Sequence, residues 1–311
     1  MAKNKAATLS SAGYRARGVY ADLATPRRAH STEADAAAFL DYLDSVSRAG
    51  ASGEHVDGLV LFGSTGEFIH FDIAERMRAA GLAIRRSRVP VLIGVSHSTL
   101  EGALELAEQA VAIDATGVLL MPPYFYPYPE DQVANFFERF AQQCEPTQIY
   151  LHNSPLSANR MNSELVRRLL DTGLFAGVLS EQRIEPNLCS SQQVSLLGGD
   201  EALAENGELR SGIVSAIASA VPELPVSLYR ALSQGKIDRA RRLQAALGEL
   251  RARLAGFPTV LALKQAAIAR GWMKPLFAVP PDSAMEAGLS DFQAWFVAWL
   301  PDVLSACATK E

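Results

Sequence analysis

Between Lys5 and Lys236 the chain contains no lysine at all. Capturing a carbonyl carbon as an imine needs an amine, and arginine, which stays protonated, cannot stand in for it. Any site built from that stretch therefore lacks the nucleophile for imine chemistry. Cysteine is scarce as well. Cys144, Cys189 and Cys307 are an odd number at wide spacings, which suits a reducing compartment and makes no metal motif. No run reaches the roughly 20 apolar residues of a membrane span. Met1-Ala2-Lys3-Asn4-Lys5 lacks the apolar core of a signal peptide. With 29 basic and 34 acidic residues the net charge is −5, so neither nucleic acid nor another polyanion is expected as a partner. These absences lead us to expect a cytoplasmic protein without membrane partners, with residues 1–14 disordered.

What remains is ordinary globular composition, 49% hydrophobic and 20% charged over 311 residues. Eight short apolar runs recur along it: Gly18 to Ala21, Gly58 to Phe62, Val89 to Gly94, Gly117 to Met121, Gln148 to His152, Phe175 to Leu179, Val194 to Leu197 and Gly212 to Ala216. Runs apolar on both faces mark buried parallel strands. Helical patterns lie between them: Glu33 to Arg48 behind Ser31-Thr32, Ile73 to Arg86 behind Asp72, Leu100 to Ile113 behind Ser98-Thr99, Glu130 to Cys144 and Ser163 to Thr172. Side-chain acceptors at these starts cap free amides. The alternation predicts an α/β fold, a (β/α)8 TIM barrel over residues 15–223. Residues 224–311 read as a C-terminal helical extension packed on the barrel, with helices over Pro225 to Gln234, Ile237 to Ala255, Thr259 to Ala269 and Ser290 to Leu304. The arginines of the second (Arg239, Arg241, Arg242, Arg251 and Arg253) read as a solvated face. Phe292, Trp295, Phe296 and Trp299 in the last read as core or subunit packing.

Ligands of such barrels sit at the C-terminal strand ends. The second strand closes with Gly63-Ser64-Thr65-Gly66-Glu67. Two glycines let the backbone approach a ligand, and consecutive amides with two hydroxyls make a carboxylate or phosphate cradle. An ordinary strand-to-helix turn reads the same way. Thr25-Pro26 follows the first strand, Pro123-Tyr124-Phe125-Tyr126 the fourth and His152-Asn153-Ser154-Pro155 the fifth. Gly199-Asp200 follows the seventh, and Gly212 and Val214 lie on the eighth.

In that order these landmarks resemble the dihydrodipicolinate synthase/N-acetylneuraminate lyase family over roughly residues 15 to 275. The resemblance implies that Ser64 and Thr65, flanked by Gly63 and Gly66, hold a 2-oxo acid carboxylate. Tyr124, Phe125, Asn153, Gly199 and Val214 would line the same pocket. It also exposes departures. The family's imine-forming lysine aligns with Leu179, in Gly177-Val178-Leu179, and its proton-relaying tyrosine with His152. Phe125 takes the place of the tyrosine that reaches across a subunit interface. Histidine can do acid–base work, or can sit hydrogen-bonded in a polar pocket. His97, His152, Glu181 and Asp200 fall near strand ends, but the five histidines form no metal-ligand spacing. No metal and no cofactor are expected. Lys264, in the C-terminal helices, matches a structural element of the family.

Three readings follow: a protein that binds a small carboxylate or 2-oxo acid without the family reaction; a non-imine lyase, hydratase or isomerase using His152; and a conventional lyase whose lysine lies elsewhere. Whether the chain is an enzyme is left open by the missing lysine and tyrosine. Leu179 and Phe125 suggest an apolar pocket floor. The resemblance also implies a homodimer or homotetramer, with Tyr124 to Tyr128 meeting a second copy.

Overall fold

The structure, a computed structural model, describes residues 14–49, 55–144, 147–181, 188, 194–205 and 211–309. Cys189 and nearly all of the expected disordered segment 1–14 lie outside them. Eight strands, β1 (Gly18–Asp22), β2 (Gly58–Leu61), β3 (Val91–Gly94), β4 (Gly117–Leu120), β5 (Ile149–Asn153), β6 (Gly177–Ser180), β7 (Ser195–Gly198) and β8 (Gly212–Ser215), pair in parallel in chain order. β1 closes on β8, which makes the sheet a barrel. All eight expected strands are present.

Side chains alternate across each strand. Tyr20, Val60, Leu92, Leu119, Tyr150, Leu179, Leu197 and Val214 face inward, one per strand, and fill the barrel as a single apolar cluster. The neighbours Val19, Leu59, Ile93, Val118, Leu151, Val178 and Ile213 face outward into the helix-covered core. At the N-terminal end the barrel is sealed by its own entering chain. The Tyr14 and Tyr20 hydroxyls bond to each other, and the Ala16 amide donates to the Tyr150 hydroxyl at 3.2 Å. Burial drives the tyrosine pKa values upward, that of Tyr150 to about 12, so these phenols stay neutral. The other end of the barrel is polar.

Around it run α1 (Ala36–Arg48), α2 (Ile73–Arg86), α3 (Leu100–Ala112), α4 (Glu130–Gln143), α5 (Ser163–Asp171) and α6 (Asp200–Glu205). α2 and α3 start behind the expected caps, with Asp72 accepting from the Glu75 amide and Thr99 from the Gly102 amide. α1 starts three residues later than expected. Glu33 and Ala34 belong to a bridge in which Arg27 pairs with Ala34, and Asp35, not Ser31 or Thr32, caps the helix through the Ala38 amide. The short α6 was not expected.

Four helices follow: α7 (Glu223–Ser233), α8 (Ile237–Leu254), α9 (Thr259–Ala269) and α10 (Ser283–Ala308). α10 packs on α7, α8 and α9 and begins seven residues before its expected start, because Asp282 caps it through the Met285 amide. Phe292, Phe296 and Trp299 are buried in it. Of the α8 arginines expected on a solvated face, Arg241, Arg242 and Arg253 are exposed, Arg253 lying 5.0 Å over the Trp295 ring. Arg239 departs from it: it is buried and donates to the Cys307 carbonyl at 2.9 Å, and the half-buried Arg251 pairs with Glu201. Among the described residues no helix is long and apolar enough to cross a membrane.

Candidate functional site

The residues that close the strands gather at the C-terminal end of the barrel. β2 leaves the sheet through Phe62 (φ 55°), and Glu67 (φ 51°) ends the turn, two non-glycine residues in the left-handed region. Such residues cost on the order of 1 kcal/mol each and persist where surrounding structure dictates them. The glycines between them are required by contact. A Cβ on Gly63 would lie 2.5 Å from Asp22 Oδ1, and one on Gly66 2.7 Å from Phe62 Cα. From the loop after β1, the buried Thr25 hydroxyl donates to the Gly66 carbonyl at 2.8 Å and fixes the far side of the turn. Beyond it the buried Lys264 of α9 forms an ion pair with Glu67.

This turn brings Ser64 to the centre of a polar cluster. In the β5–β6 ladder His152 pairs with Leu179 and Asn153 with Ser180. The next position on the Leu179 face is Glu181, one step nearer the mouth. His152 Nε2 lies 3.0 Å from Glu181 Oε1. Ser64 Oγ lies 3.4 Å from the same Nε2, donates to Glu181 Oε1 at 3.3 Å and is 3.5 Å from Ser154 Oγ. Burial alone would raise the Glu181 pKa. The hydrogen bond and charge of His152, with bonds from Ser154 and Ser64, outweigh it and hold the carboxyl below its usual range. Glu181 is therefore ionised, and since a carboxylate only accepts, Nε2 carries the hydrogen between them. Ser64 and Glu181 meet the same ring nitrogen. A nucleophilic serine relay places acid and hydroxyl on opposite nitrogens, so this geometry is not one that activates Ser64 for attack.

A second carboxylate completes the site. Asp22, the last residue of β1, turns into the glycine-rich turn and accepts the Thr65 amide at 2.9 Å. Burial pushes its pKa up to about 6 against the hydrogen bonds of Thr65 and the charge of His152, with the charge of Glu181 adding to the rise. The Thr65 amide, expected to serve a ligand carboxylate, thus serves a carboxylate of the chain itself.

The remaining expected site residues divide. Leu179 is buried in the barrel interior beside His152, its partner in the β5–β6 ladder, and Val214 lies in the same apolar cluster. Gly199 closes on Glu181, whose Cα a Cβ there would approach to 3.6 Å. Tyr124 stands edge-on to Phe68 at 5.6 Å, beside the turn. Asn153 faces away: its amide donates to the Met161 carbonyl at 2.8 Å and accepts the Met161 amide at 3.0 Å. Phe125 is 72% exposed and does not face the barrel interior in this chain, whereas Leu179 does. His97 binds Thr99 at the surface, and Asp200 holds the Ser215 hydroxyl and the Ile217 amide together. Asp22 was missed because the expected strand stopped at Ala21, although an acid closing an apolar run at this end of a barrel is itself a signal. Glu181 was visible as two residues beyond Leu179, hence on the same face.

Fold and site together define a (β/α)8 barrel with a cluster of imidazole, carboxylate and hydroxyl groups at its C-terminal mouth. Residues 51–291 match the Dihydrodipicolinate synthetase family. The chain belongs to that family. It is 30% identical over 252 residues to an uncharacterized DapA-like lyase of Halobacterium salinarum, covering 76% of this chain and 83% of the relative. It is 31% identical over 209 residues to a probable 2-dehydro-3-deoxy-D-pentonate aldolase of Escherichia coli, covering 63% and 69%. Among solved structures, the sialic acid aldolase of Ruminococcus gnavus superposes with a TM-score of 0.80 at 16% identity, over 92% of this chain and 99% of that one, a likeness of fold.

Proposed function

We propose that this chain is a divergent member of the lyase family that works by acid–base chemistry at His152 and Glu181, without an imine. The single observation behind this is the 3.0 Å contact between His152 Nε2 and Glu181 Oε1, beside Leu179, where the family resemblance aligns the lysine. A buried alkyl side chain there leaves the barrel centre without a nucleophile, and the stretch from Ala6 to Gly235 supplies no lysine to replace it. What converges instead is a carboxylate that can accept a proton, an N–H and the Ser64 hydroxyl.

The chemistry suited to these groups is removal of a proton from carbon next to a ligand carbonyl. The proton goes to Glu181, and the C–H electron pair collects on the carbonyl oxygen as an enolate. The His152 N–H and the Ser64 O–H donate to that oxygen. Return of the proton, or departure of a group from the neighbouring carbon, completes an isomerase, hydratase or lyase step. General acid–base groups of this kind contribute about 10²- to 10⁴-fold.

Two measurements test the reading. Borohydride in the presence of pyruvate or of hydroxyacetone, read by intact mass, is expected to leave no adduct; a stoichiometric adduct would return the imine route and end the proposal. Deuterium uptake from D2O into hydroxyacetone, followed by NMR, is expected to be accelerated by the protein. Glu181→Gln should reduce it to background and His152→Gln by about 10²-fold or more. Undiminished exchange in Glu181→Gln would remove the assigned base.

A further inference from the structure

We propose that Asp22 is a built-in anion that occupies the glycine-rich turn of β2, so that this site takes an uncharged or cationic ligand rich in donors, a hydroxy- or amino-ketone, and turns carboxylates away. The inference deepens the reading above and rests on its pocket. A turn whose amides converge with a serine and a threonine hydroxyl would ordinarily hold an anion. Here the anion is covalently part of the chain. Asp22 Oδ2 takes the Thr65 amide at 2.9 Å, and Asp22 Oδ1 lies against Gly63, at 2.5 Å from where a Cβ would stand. Glycine at 63 is what lets the Asp22 carboxylate fit.

The charge balance of the cluster points the same way. Among the described residues, the charges acting on Asp22 are those of His152, which lowers its pKa, and Glu181, which raises it, and the leading charge acting on Glu181 is that of His152. Two buried cations of the described structure are committed elsewhere, Lys264 to Glu67 and Arg76 to the carbonyls of Gly94 and Ser96. Among the described residues of this cluster two carboxylates stand against at most one imidazolium, and a third carboxylate brought beside them in so buried a place is repelled. Donors are welcomed there. Asp22 Oδ1 is buried and has no hydrogen-bond partner, an unmet acceptor aimed into the turn. Glu181 adds a second acceptor, so a ligand offering hydroxyl or amino hydrogens meets acceptors on two sides.

Pyruvate and hydroxyacetone differ only in a carboxylate against a hydroxymethyl group, which makes them the probes. Calorimetric titration at pH 7.5 is expected to show wild-type protein binding hydroxyacetone more tightly than pyruvate. Asp22→Ala, which frees the Thr65 amide, should bind pyruvate at least tenfold more tightly than wild type does. Asp22→Asn, which keeps the shape and removes only the charge, guards against a misfolded alanine variant and should tighten pyruvate in the same direction by the same minimum. Circular dichroism checks that both fold. Pyruvate binding to wild type at least as tight as hydroxyacetone binding, or a gain below tenfold in a folded variant, overturns the proposal. Glu181→Gln separates the two readings. If it leaves exchange intact while Asp22→Ala still gains pyruvate, the acid–base assignment falls and the ligand class stands. The reverse pattern sinks the ligand class alone.

Discussion

Asp22 shows how one residue can set both the chemistry and the stability of the site. Its carboxyl is fully enclosed, and burial raises its pKa from the ordinary 3.8 to about 6. A group whose folded pKa is raised stabilises the fold below its unfolded pKa, and that contribution is lost as pH rises through the folded value. For Asp22 the loss falls between about pH 4 and pH 6. Two units correspond to about 3 kcal/mol as an upper bound, at roughly 1.4 kcal/mol per unit. Asp22→Asn removes the charge but keeps an acceptor for the Thr65 amide. The variant is therefore expected to melt several degrees above wild type at pH 7.5 and within a degree or two of it at pH 4. Thermal unfolding across that range checks this; a gap that does not widen with pH would mean that the Asp22 charge costs the fold nothing. The same residue marks the limit of sequence reading. Ser64, Thr65 and His152 were legible because motif and strand period place them at the mouth. The charge balance was not, because it depends on a side chain from β1 entering a turn after β2, and those residues lie more than 40 positions apart in the chain.

At the scale of elements, the turn after β2 is held from outside the barrel. Its end, Glu67, sits in a left-handed conformation, and its carboxylate is neutralised by Lys264, which is 1% exposed on α9. Removing one partner of a buried pair leaves the other charge uncompensated and typically costs 3–5 kcal/mol, whereas replacing both can be nearly neutral. Lys264→Met is expected to destabilise the fold by about 3–5 kcal/mol, and Lys264→Met with Glu67→Gln to recover most of that. Chemical denaturation of the single and double variants measures the coupling; additive losses would show that the two residues act independently. The strands, α2 and α9 were readable because each carries its own signal, an apolar run or a cap. The starts of α1 and α10 were not, because Asp35 and Asp282 compete with nearby caps, and the winner at α1 is decided by the Arg27–Ala34 bridge. The long-range ion pair was legible only as a lysine of structural role.

For the whole molecule the question is what covers the aromatic segment beyond β4. Phe125 and Tyr126 are 72% and 64% exposed, Tyr128 is 43% exposed, and Leu156 on the neighbouring loop is 71% exposed. Scattered apolar residues on a surface are ordinary, but a contiguous aromatic patch marks an interaction face. This one is held ready. Asn159 donates to the carbonyls of Pro123 and Tyr126 and accepts the Tyr128 amide at 2.6 Å, while Ala158 donates to the Tyr124 carbonyl at 3.0 Å. Phe125 and Tyr126 stand edge to face at 4.9 Å. A patch already ordered loses little conformational entropy on association, which favours binding through it. We propose that a second copy of the chain covers it, which would bring Phe125 out of water. The protein is then expected to run as a dimer or tetramer by light scattering at micromolar concentration. Phe125→Ser with Tyr126→Ser should shift the mass towards the monomer while the circular dichroism spectrum is kept. Asn159→Ala, which leaves the rings but releases the segment, should weaken association less. A monomeric wild type would remove the second copy from the account, and an unchanged mass in the double variant would move the interface elsewhere on the barrel.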